Sequence, residues 1–128
     1  MTYGGWTAND PSCKGLSAGR WPAYASGTIR FRETMWLGTA VRTWKKWLWD
    51  TVNDRGFRDR DGNCVLVAED QAAMLPMLEM SGTDRARHIP DVLMIYNKLN
   101  PYACGKIHWE LMTQTVDYLR SRPAYGRL

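Results

Sequence analysis

Long hydrophobic runs are missing from this 128-residue chain, and so are most of the short motifs that usually betray an activity. No apolar stretch approaches the ~18 residues of a membrane-spanning helix, so no membrane partner is expected. The opening Met-Thr-Tyr-Gly-Gly-Trp has neither a basic region nor an apolar one, so no signal peptide is expected. Cysteine is scarce. Cys13, Cys64 and Cys104 make an odd number and lie far apart, which is not a disulfide framework. Reduced thiols fit a cytoplasmic setting, or another intracellular or virion one. The P-loop and dinucleotide glycine patterns are both missing. RNP, KH, zinc-finger and basic-zipper signatures are missing as well, and no internal repeat is present.

What is present is ordinary globular composition, 45% hydrophobic and 23% charged. A chain of this length buries about two thirds of its unfolded surface and holds a core without a metal. The net charge of +4 is unevenly placed. Residues 1–60 carry ten basic and five acidic side chains, a surplus of +5, and the remainder is −1. A one-sided positive field favours anionic partners, or else simply keeps the chain soluble.

Residues 1–27 are punctuated by Gly4, Gly5, Gly15, Gly19, Gly27, Pro11 and Pro22, too often for a helix or a long strand. Yet they carry Trp6, Trp21 and Tyr24, and exposed rings gain nothing from water. The segment is expected to be an extended arm, separate from a helical domain over 28–128. Those three rings would rest on the core or on a second copy of the chain.

Residues 28–55 read as the main helix, with Thr28 as N-cap and Gly56 just past the end. At 100° per residue, Ile29, Trp36, Leu37, Ala40, Val41, Trp44, Trp47, Leu48 and Val52 fall on one arc, the expected core face. Gly38 is an interior cost of about 1 kcal/mol. Phe31, Met35, Arg42, Lys46 and Trp49 share the opposite face, with Lys45 at its margin. Trp, Met, Phe and Arg are the types enriched at interface centres, and basic groups beside rings also suit nucleic acid. The plainer alternative is a helix covered on both sides, with the arm over Trp49 and Phe31.

Further on, Asp61-Gly62 predicts a turn within a hairpin or tight loop over 57–68. Glu69 and Asp70 open a helix over 69–80, whose Met74, Leu75, Met77, Leu78 and Met80 are expected in the core. Pro90 fits the first position of a helix to Leu99. A last helix over about 106–122 would turn Ile107, Leu111, Thr115, Tyr118 and Leu119 inward. The expected fold is therefore mainly α, about four helices with one short hairpin and an extended N-terminal arm.

Three chemistries fail on spacing. An EF-hand with Gly62 at its sixth position would place Phe57 first and Ala68 last, where carboxylates are required. Cys104 and His108, at i and i+4, give one half of a zinc site with no second half. As a nucleophile pair they lack an orienting group and an oxyanion hole. A metal and a cofactor are thus not expected, nor is catalysis. The expected function is non-catalytic binding: Phe31, Met35, Arg42, Lys45, Lys46 and Trp49 dock on a larger protein or nucleoprotein. An assembly component, an inhibitor, or a virion or mobile-element protein would fit. The alternatives are non-specific nucleic-acid binding, and a small enzyme or zinc protein built on Cys104 and His108.

Overall fold

A computed structural model describes residues 1–13, 30–38 and 41–128. The fold is mixed α/β, which corrects the mainly helical expectation. Among the described residues there are four α-helices and one three-stranded mixed sheet.

The N-terminal segment is not a separate arm where it is described. Thr2–Ala8 is β1, the central strand of the sheet. It pairs antiparallel with the short β2 (Arg42–Thr43) and parallel with the ten-residue β3 (Arg87–Tyr96). Gly4 and Gly5, read as arm punctuation, permit this pairing by keeping the strand bare. A Cβ on Gly5 would lie 2.7 Å from the Asp91 carbonyl oxygen. Glycine inside a strand commonly marks such a close backbone approach. The register runs Gly4↔Ile89, then Gly5↔Val92, so Pro90 and Asp91 bulge out of the ladder. Pro90 has no N–H to give a ladder, and a bulge is where a strand tolerates it. The helix expected over 90–99 is therefore the second half of β3, in keeping with Val92, Ile95 and Tyr96, all strong strand formers.

The long helix over 28–55 is also corrected. In its place, Arg42–Thr43 joins the sheet and, among the described residues of this stretch, only Lys46–Asp50 is α-helical, as α1. The 3.6-residue periodicity was real as a pattern, but Gly38 and the threonines of this stretch favour other conformations. A 3-10 turn follows at Asp54–Phe57. Over 57–68 one antiparallel bridge, Arg58↔Cys64, closes a tight loop around Gly62 (φ 85°). Asp59 Oδ1 fixes that loop by accepting from the N–H groups of Asp61 and Asn63.

α2 (Glu69–Ser81) is the centre of the molecule, with ten of its thirteen residues buried. A helix apolar on all sides has to be enclosed on all sides. Met74, Leu75, Met77, Leu78 and Met80 are at most 1% exposed and form the core with Tyr3, Phe31 and Leu48. Pro76 lies inside α2 and leaves the Ala72 carbonyl without its i+4 donor. Gly82 ends the helix, its N–H donating to the Leu78 carbonyl.

α3 (Cys104–Ile107) and α4 (Trp109–Ser121) break at His108 what the sequence reads as one helix. Thr115 and Leu119 are buried, and Met112 and Val116 pack beside Leu119 against Ala68 and Ala72. Ile107 and Leu111, expected inward, are exposed.

Candidate functional site

The residues singled out for partner binding no longer share one helix face, because the helix that aligned them is not formed. Phe31 is 4% exposed and belongs to the core around α2. Met35 is 78% exposed in the irregular stretch before β2. Arg42, on β2, points at Asp70 with a separation of 3.9 Å. Lys45 is the exposed N-cap of α1, and Lys46 pairs with Asp50 one turn on at 2.6 Å. Trp49 stacks on Trp44, ring centroids 5.6 Å apart and planes 15° from parallel. On its other side it meets Phe57, tilted at 5.2 Å.

The local sequence explains this surface. Trp-Lys-Lys-Trp-Leu-Trp-Asp gives a one-turn helix a single inward anchor, the buried Leu48. The tryptophans around it are left on the rim. Trp44 and Trp49 are held by each other and stay more than a third exposed, while Trp47 is 57% exposed. The stacked Trp44 and Trp49 make a fixed aromatic shelf, and Trp47 adds a third exposed ring on the same short stretch as Lys45 and Lys46. The sequence reading assigned Trp44 and Trp47 to the core. Only a helix of full length would have carried them there.

A second apolar surface lies on β3, which the sequence reading missed. Val92, Leu93, Ile95 and Tyr96 are all exposed along the strand. Parallel strands are ordinarily covered on both faces, so this ribbon is unusual as bare surface. Trp6 lies at its root. The ring is 8% exposed, tilted on Tyr96, with Lys98 Nζ 5.5 Å from its centroid. The Trp6 indole N–H and His88 Nε2 find no hydrogen-bond partner among the described residues. Trp21 and Tyr24, the other rings assigned to the arm, lie outside the described residues.

Cys104 and His108 are both exposed, linked through the backbone, where the His108 N–H donates to the Cys104 carbonyl at 2.8 Å. Among the described residues no group of three or more His, Cys, Asp or Glu is placed to hold a metal ion. Nor is any described helix long and apolar enough to cross a membrane. Asp70 is a half-buried carboxylate facing Arg42. Burial pushes its pKa up, against the pull of Arg42 and of hydrogen bonds from the Gln71 N–H and Trp36 Nε1.

No protein-family model, no curated protein and no solved structure matches the chain.

Proposed function

We propose that this protein is a non-catalytic binding protein, an assembly component or inhibitor that docks on a larger protein or nucleoprotein. The observation that carries this reading is the aromatic shelf on residues 44–49. Three tryptophans on one seven-residue stretch remain out of the core, two of them already locked in a stack. A large rigid ring loses little conformational freedom on binding, which is why Trp recurs among the few residues that dominate interface energies. Lys45, exposed and with no carboxylate partner among the described residues, adds to the shelf a positive charge that an acidic-rimmed partner complements.

The test is differential capture. Tagged wild type and Trp47→Ala are compared by quantitative mass spectrometry in extracts of the native source, with thermal unfolding measured in parallel. Specific proteins retained by wild type and lost from Trp47→Ala, at equal folded stability, support the reading. The same proteins retained by both would remove it. Saturable binding of single-stranded DNA or RNA, falling steeply with salt, would replace it with the nucleic-acid reading.

A further inference from the structure

We propose that the cavity between α2 and the C-terminal residues is an anion site, shaped for a phosphate group. It has a volume of about 270 Å³, and its floor is apolar, including Leu75, Pro76 and Leu119. That is the small end of ligand pockets, large enough for a phosphate on a small organic body and too small for a polymer.

The wall is made of donors. Arg32 lines the cavity, but Glu79 and the Leu119 carbonyl already engage its guanidinium. Arg55 and Arg122 also line it, and neither pairs with a carboxylate among the described residues. Among the described residues Arg122 spends only Nη1, on the Arg55 carbonyl, and its guanidinium carbon sits 5.8 Å from the Tyr118 ring centroid, which orients it. No Asp or Glu lines the cavity, so Arg55 and Arg122 bring to it two positive charges that no carboxylate among the described residues pairs with.

Gln71 adds to this set through a constraint its amide cannot escape. Its Oε1 accepts from Arg120 Nε at 3.0 Å, and an arginine can only donate. The amide is therefore fixed with its oxygen on Arg120, and Nε2 remains a donor, without an acceptor among the described residues, on a side chain that lines the cavity. Tyr125 Oη accepts from the Asn53 N–H at 3.2 Å, which leaves its own proton to give.

Donors thus come from the 3-10 turn, from α2 and from the chain after α4. A tetrahedral oxyanion with three or four acceptor oxygens uses such a three-dimensional set, whereas a planar carboxylate offers two. Two uncompensated guanidiniums also match the charge of a phosphate near neutral pH.

The test is calorimetric titration of the full chain with inorganic phosphate, phenyl phosphate and benzoate at constant ionic strength. Saturable binding of the phosphates, with a Kd of about 1 mM or tighter and benzoate much weaker, is expected. A tighter phenyl phosphate means that the natural ligand is an organic monoester, and equal affinities mean the free ion. Arg55→Gln with Arg122→Gln should weaken binding by roughly tenfold or more. Gln71→Glu keeps an oxygen for Arg120 while turning the wall's donor into an anion. It should abolish binding in a folded protein even if the double variant fails to fold. No saturable binding of either phosphate, equal binding of benzoate, or unchanged affinity in folded variants would overturn the assignment.

Discussion

Arg32 and Glu79 form a two-pronged ion pair, Nε to Oε1 at 2.6 Å and Nη2 to Oε2 at 2.9 Å, with side chains only 10% and 5% exposed. The pair joins the stretch before β2 to α2. It also ties in the chain end, since Glu79 Oε2 accepts from the Tyr125 N–H at 3.0 Å. These two interior charges are tolerated because each is the other's counterpart.

Removing one partner therefore leaves a buried charge alone. Glu79→Ala should destabilise the fold by about 3–5 kcal/mol, read from denaturant unfolding. Replacing both residues with apolar ones of similar size, Arg32→Met with Glu79→Leu, should cost much less than that. A single substitution as mild as the double one would mean that the pair is open to water.

Asp70 supplies a pH signature. Its folded pKa is raised, chiefly by burial, above the ordinary value of 3.8. In the window from 3.8 up to that raised value, the unfolded chain has lost the proton and the folded one keeps it. Stability from this group then falls as pH rises through the window. Asp70→Asn still offers an oxygen to Trp36 and cannot ionise. The stability difference between wild type and Asp70→Asn should shift against wild type as pH rises above 3.8. A difference that stays constant with pH would contradict the partial burial of this carboxylate.

The β1–β3 register rests on Gly5. Gly5→Ala would drive a methyl to within 2.7 Å of the Asp91 carbonyl oxygen, where backbone has to move. A loss of about 1–3 kcal/mol is expected, with amide exchange accelerated along β1 and β3. Unchanged exchange would argue against that pairing.

How much of this was legible from the residues depends on where the stabilising contacts lie. α2 was legible because its signals are local: acids in the first turn, a methionine-rich apolar run, and Gly82 at the end. The loop at Gly62 was legible for the same reason. β1 and β3 were not, because their pairing spans more than eighty residues and sequence shows only its side effects. Gly4-Gly5 looked like flexibility and Pro90 looked like a helix start. Over 28–55 the periodicity of tryptophans and leucines imitated a helix. The pairing of Arg42 and Thr43 with β1, set by tertiary structure, overrode it. The donor-lined cavity was hidden too, since Arg120 and Arg122 read equally well as partners of a helix dipole.

The aromatic shelf separates structural from binding roles among neighbouring tryptophans. Trp44→Ala and Trp49→Ala break the stack and should each cost about 0.5–1.5 kcal/mol of stability beyond lost area. Trp47→Ala removes the most exposed ring of the three and should change stability by no more than about 0.5 kcal/mol. Urea unfolding of the three variants gives the order directly. Equal costs at all three positions would place Trp47 in the core.

The docking claim turns on that same residue. The direct measurement is quantitative capture from native-source extract by wild type and by Trp47→Ala, at matched concentration and with matched unfolding midpoints. Defined proteins retained by wild type and lost from a fully folded Trp47→Ala are the predicted result. An identical set of captured proteins would contradict it.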